Sequence, residues 1–126
     1  MTRPRKGHGD PIGLRFALRG LAVAWRDQAN LRIESAIGVA AIAATIWLNV
    51  SLVPVLLVCG LVLVTELMNT VLEAIVDLVS PDHHPLAARA KDVSAGAVLV
   101  AAATAVAVGL VHLGPPLADR LSKGTP

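Results

Sequence analysis

Three stretches of this chain, 35–50, 52–65 and 93–111, hold no Asp, Glu, Lys or Arg. A helix needs about 20 mainly apolar residues to cross the hydrocarbon layer of a bilayer, so three spanning helices are the economical reading. Composition agrees. With 55% hydrophobic and 16% charged residues in 126 positions, the chain is too apolar for an ordinary soluble domain, and no segment is left over to make one. The expected fold is an all-α membrane protein, one domain over 1–126. Its spanning helices are expected at 34–50, 52–80 and 85–113, followed by a tail over 114–126. The basic N-terminal segment does not read as a signal peptide. Arg15, Arg19, Arg26 and Arg32 interrupt its first apolar stretch and no small-residue cleavage site follows, so the chain is expected to be mature. The single cysteine, Cys59, lies inside the second apolar run, where it reads as a small packed hydrophobe.

Seven of the eleven lysines and arginines fall in the first 32 residues, the turn "LNVSLVPV" has none, and the loop "PDHHPLAARAKD" carries Arg89 and Lys91. The charge bias places the N-terminus and the second loop in the cytoplasm. Three crossings then leave the tail outside, where Arg120 and Lys123 run against the rule.

Residues 1–11, with Pro4, Gly7, Gly9 and Pro11, read as frayed or extended. A surface helix is expected over 12–32. From Ile12 to Gln28 its pattern is amphipathic: Leu14, Leu18, Leu21 and Trp25 share one face, while Arg15, Arg19 and Arg26 share another. Such a helix lies in the interfacial plane, its arginines either holding lipid headgroups or nucleotide phosphates or simply anchoring it. Trp25 and Trp47 suit the two membrane boundaries. Gly38 and the many alanines of the first and third spans permit close helix approach. Pro54 fits the first turn of the second span, Pro81 stops that span after Ser80, and Pro85 opens the third behind an N-cap at His84.

The second apolar run does not end cleanly. It continues as "ELMNTVLEAIVD". Counted from Leu52, Glu66 lies about 21 Å into a hydrocarbon layer of about 30 Å, with Glu73 near the inner boundary and Asp77 in water. At roughly 100° per residue, Asn69, Glu73 and Asp77 all fall within about 60° of Glu66 on the helix. A carboxylate at that depth costs several kcal/mol, so it faces a protein interior or cavity and marks function more often than packing. Asn69 is balanced between the two readings, and Asp77 reads as a solvated helix-end charge. Glu66 fits a proton acceptor for a weakly acidic hydroxyl presented at membrane depth. Glu73 fits a holder of a hard cation arriving with phosphates from the cytoplasm. Lys91 fits a bridge to phosphate oxygens and Asp92 a ligand to a metal or its water, although a Lys-Asp pair at a boundary is also an ordinary anchor and cap. Together these suit moving a phosphoryl group from a soluble donor to a lipid. A small transporter carrying a proton or cation on Glu66 is the rival, but it would have no need of Glu73, Asp82, Lys91 and Asp92 gathered at the cytoplasmic end.

The stretch "ELMNTVLEAIVDLVSPDHHPLAARAKDVSAGAVL", an E-x-x-N-T-x-x-E-x-x-V-D core followed by H-x-L-A-x-x-A-K-D, resembles the signature of the prokaryotic diacylglycerol kinase and undecaprenol kinase family. The likeness runs back through the spans to "FALRGLAVAW". It implies a homotrimer in the bacterial inner membrane, each subunit having three spans and a surface helix. It also implies phosphorylation of a lipid hydroxyl by MgATP without a P-loop, and this chain has no G-x-x-x-x-G-K-[ST]. No nucleic-acid partner is expected. By resemblance, Glu66 is the catalytic base and Asn69 sits beside it at the lipid, where Arg19, Trp25 and Arg32 also contribute. Glu73 becomes the magnesium ligand. Phe16, Asp82, His83, His84, Lys91 and Asp92 join Glu73 and position 28 as nucleotide contacts. The histidines carry no metal-ligand spacing of their own, and His83 reads equally as a solvated loop residue.

One position departs. Gln28 stands where the family has a glutamate that is its second metal ligand, and an amide oxygen without charge holds a hard cation less tightly. Asp27 is adjacent but points about 100° away, so it substitutes only if the helix turns or unwinds there. A catalytically weakened member of the family is therefore a further alternative. Three thin helices cannot enclose a lipid tail, a nucleotide and a metal, so the site is expected between subunits. The "HPLAARAKDVSAGAVL" form looks more like the undecaprenol branch than the diacylglycerol branch.

Overall fold

The computed structural model describes residues 13–124. The expected extended segment 1–11, together with Ile12, lies outside the described residues, as do 125 and 126. Four helices follow in order: α1 Leu14–Asp27, α2 Ala29–Leu48, α3 Val53–Val79 and α4 Pro85–Ser122. At roughly 1.5 Å per residue, α2, α3 and α4 are about 30, 40 and 57 Å long. Each is long and apolar enough to cross a membrane. This is the all-α membrane architecture of one surface helix and three spans that the sequence predicts.

The turns form where the local chemistry asks for them. Asn49, with φ 57° and ψ 43°, ends α2, its N–H and that of Val50 returning to the carbonyls of Ile46 and Thr45. Asparagine tolerates this left-handed geometry at little cost. Pro54 occupies the first turn of α3, and Ser80 closes that helix ahead of Pro81. His84 caps α4, its Nδ1 accepting the Leu86 N–H at 3.2 Å, with Pro85 in the first turn as expected.

Three boundaries differ from those expected. The surface helix ends at Asp27 and not at 32, because Gln28 is extended (φ −107°, ψ 111°), and α2 begins directly at Ala29 and not at 34. Arg32 holds the break: its guanidinium donates to the carbonyls of Trp25 at 2.8 Å and Arg26 at 3.0 Å, satisfying the open end of α1 from the next helix. The third span runs to Ser122 and not to 113, passing through Pro115 and Pro116. Each proline removes one N–H donor, but its φ is already helical, and the carbonyls left unpaired fall at the expected outer boundary within reach of water. The far end of α4 is tied down. His112 Nε2 bonds the Ser51 carbonyl at 2.8 Å, and Arg120 donates to the Trp47 carbonyl at 2.6 Å with its guanidinium 4.7 Å above the Trp47 ring. Lys123 pairs with Asp119 at 3.7 Å. The two tail cations that oppose the charge rule are thus both engaged.

α3 and α4 share the longest interface, and α2 lies mainly against α3. Val55, Val62 and Glu66 of α3 are buried, as are Leu31, Thr45 and Leu48 of α2. A Cβ on Gly38 would stand 3.4 Å from the Cys59 sulfur, so the absent side chain lets α2 approach α3 closely. The Thr45 hydroxyl, fully buried, donates back to the Ala41 carbonyl at 2.7 Å. Most other large apolar side chains remain exposed, Leu57, Leu78 and Val100 among them, because a bundle this thin has little interior.

Candidate active site

Glu66 is only 2% exposed. Its carboxylate points into the bundle and not outward. On the α2 side it lies near Asn30, and it is close enough to Glu34 and Glu73 for the like charges to interact. Glu34 is half-buried, and its Oε2 is buried without a hydrogen-bond partner at the end of an apolar cavity of about 310 Å³. Val55, Cys59, Val62 and Ala105 line that cavity, which runs between α2, α3 and α4. Glu34 therefore borders a greasy groove, with Glu66 and Asn30 near it. That is an arrangement able to receive the hydroxyl end of a lipid.

Down the same face of α3, Asn69 Nδ2 donates to Glu73 Oε1 at 3.2 Å, as the shared stripe requires. The other end of that amide, Oδ1, accepts from the Ser94 hydroxyl of α4 at 2.5 Å. Near the α3–α4 turn Lys91 Nζ bonds Asp77 Oδ1 at 2.5 Å, joining α4 to α3. Asp77, Ser80, Asp82, His83, His84 and Lys91 line a polar cavity of about 410 Å³. The Ser80 hydroxyl donates to the Asp82 carbonyl at 3.1 Å, fixing the turn. Because His84 spends Nδ1 on the helix cap, only Nε2 is left for a ligand.

The predicted residues thus fall into two linked groups and one separate group. Glu66, Asn69 and Glu73 form the membrane-depth row. Asp82, His83, His84 and Lys91 surround the cavity at the α3–α4 turn, with Asp92 exposed on α4 nearby in sequence. Phe16, Arg19 and Trp25 stand apart on exposed faces of α1. Arg32 turns back onto α1, as described, and Gln28 is half-buried at the break itself. Asp27, its neighbour, is occupied by Arg26 at 3.1 Å. Sequence reasoning did not single out Asn30 or Ser94, and it read Asp77 as a plain helix-end charge. Asn30 had a detectable signal, lying four residues before Glu34 and so on the same face of α2. Ser94 had none, since its role comes from a helix 25 residues away.

Among the described residues no three His, Cys, Asp or Glu side chains gather as a metal cage. Magnesium does not ask for one: it usually takes one or two carboxylates, with phosphate and water oxygens completing its shell. The half-buried Glu73 carboxylate, with one oxygen on a neutral amide, fits that demand.

Comparison with known proteins places this geometry in company. The family described as prokaryotic diacylglycerol kinase matches residues 15–113. The chain is 44% identical over 110 residues to a diacylglycerol kinase of Synechocystis sp., covering 84% of this chain and 63% of that protein. It therefore spans under two thirds of that relative's length. It is 36% identical over 94 residues to a diacylglycerol kinase of Escherichia coli K12, covering 72% and 77% of the two chains. It is 34% identical over 102 residues to an undecaprenol kinase of Bacillus subtilis, covering 79% and 83%.

Proposed function

The chain belongs to the prokaryotic diacylglycerol kinase family, and from that footing we propose that it transfers the γ-phosphoryl group of ATP to the hydroxyl of a membrane lipid alcohol. The observation that carries this reading is the buried Glu66 carboxylate, continuous along one helix face with Glu73 and ending at a polar cytoplasmic cavity.

The lipid tail lies along the apolar groove and presents its hydroxyl at Glu66, with Asn30, Glu34 and Asn69 fixing the approach. Glu66 takes the hydroxyl proton as the oxygen attacks the γ-phosphorus. The bond from that phosphorus to the β,γ-bridging oxygen breaks, and ADP leaves toward the cytoplasm. Lys91 keeps Asp77 on one of its three N–H donors and turns the others to phosphate oxygens. The groups around the cytoplasmic cavity, Asp82, His83 and His84, hold the rest of the nucleotide. Phe16 and Arg19 of α1 close over it, while Arg19, Trp25 and Arg32 border the lipid. Magnesium, held by Glu73 with the Gln28 amide oxygen as a neutral second donor, would neutralise phosphate charge on the bound nucleotide. Because Gln28 brings no charge, metal affinity is lower than a glutamate there would give. Three copies assemble in the bacterial inner membrane with their N-termini in the cytoplasm, and the exposed apolar faces of the spans supply the contact surface.

Purified protein in detergent, given γ-labelled ATP, magnesium and either diacylglycerol or undecaprenol, tests the reading and selects the alcohol. Labelled phospholipid is the expected product. Label remaining wholly in ATP with both alcohols, alongside proton- or cation-driven flux in vesicles, would place Glu66 in a transporter instead.

A further inference from the structure

We propose that Ser94 is a positioning residue: through the Asn69 amide, it fixes the orientation in which Glu73 presents its carboxylate to a divalent cation. The inference rests on the kinase reading above and extends it to a residue that reading does not use. An asparagine amide has a donor end and an acceptor end of nearly equal shape, and its neighbours decide which way it faces. Here the Ser94 hydroxyl, partly buried, stands 2.5 Å from Asn69 Oδ1, an atom that can only accept. With that end taken, Nδ2 is directed at Glu73 Oε1, 3.2 Å away. Among the described residues no other hydrogen bond reaches the Glu73 carboxylate. Its second oxygen is left for a cation.

Without the hydroxyl, Glu73 is left as the one contact that sets the orientation of Asn69, and the Oδ1 end loses its anchor. The amide is then free to swing or reverse, and a reversed amide sets its oxygen against the carboxylate, so Glu73 is held less firmly. The same hydroxyl also lies 2.9 Å from the Lys91 carbonyl, one turn back along α4. Serine makes such a backbone contact in many helices, and that contact alone would need no approach to Asn69. The row Ser94, Asn69, Glu73 thus links the helix bearing Lys91 to the residue facing the metal. Partners of this kind orient a ligand without touching the ion.

The test compares wild type, Ser94→Ala and Ser94→Thr in detergent. Mn²⁺ uptake is measured by electron paramagnetic resonance with a non-hydrolysable ATP analogue, and the magnesium dependence of transfer is measured in parallel. Ser94→Ala is expected to weaken Mn²⁺ binding about fivefold or more and to raise half-saturating magnesium by a similar factor. Its rate at saturating magnesium should fall by less than about twofold, and Ser94→Thr should restore both values. Mn²⁺ binding in Ser94→Ala equal to wild type, a threonine variant as weak as the alanine one, or a wild type that takes up no Mn²⁺ would each overturn the proposal. If wild type phosphorylates no lipid alcohol, the kinase reading fails, and the Mn²⁺ comparison still decides the role of Ser94.

Discussion

Gln28 is the position where the resemblance implies a glutamate, and the structure puts it at the one extended position between α1 and α2. A glutamate there would face no helical constraint against reaching a cation. Gln28→Glu should therefore lower half-saturating magnesium several-fold, about what one added charge-assisted contact supplies. An unchanged titration would show that the position takes no part in metal binding. Asp77 offers a second residue-scale test. Its pairing with Lys91 is largely exposed, 67% on the Asp77 side, so Asp77→Asn should cost less than about 1 kcal/mol of stability. If the pair aims Lys91 at phosphate, the same change should raise the KM for ATP several-fold, read from initial rates at saturating lipid. The alignment of Glu66, Asn69 and Glu73 was legible from spacing alone, because one helix carries all three. Asn30 and Ser94 reach that row from other helices. Their part depends on packing that no local pattern records.

Among the elements, two arginines close helix ends that lie far from them in sequence. Arg32 serves the carbonyls of α1 and Arg120 the last turn of α2, where the helix dipole also favours a cation. Arg32→Ala should destabilise the protein by about 1–2 kcal/mol, seen as a lower unfolding temperature by circular dichroism in detergent. Arg120→Ala should cost about 1 kcal/mol through loss of the bond and the Trp47 contact together. No change in either variant would mean these bonds only decorate the surface. Proline, asparagine and histidine signalled the turns after α2 and α3, since each residue's own chemistry makes or ends a helix. The break at Gln28 had no such signal, for "DQANLR" contains neither proline nor glycine. The run of α4 through Pro115 and Pro116 went the other way, with breakers present and the helix unbroken.

For the molecule as a whole, three spans with few buried side chains leave most of their apolar surface exposed, and on the proposed reading lipid and further copies cover it. One row of polar side chains, Glu66, Asn69 and Glu73, runs along α3 between an apolar groove and the cavity at the α3–α4 turn. On the proposed reading substrates enter from two phases, the lipid along the membrane and the nucleotide from water. On that reading Glu66 stands where they meet and takes the proton that must leave the lipid. The most direct test reconstitutes wild type and Glu66→Gln in vesicles containing the preferred lipid alcohol and measures phosphoryl transfer from labelled ATP, with nucleotide binding measured on the same samples. The glutamine variant should bind nucleotide as wild type does and transfer at least about 100-fold more slowly. Transfer within a few-fold of wild type would contradict the assignment.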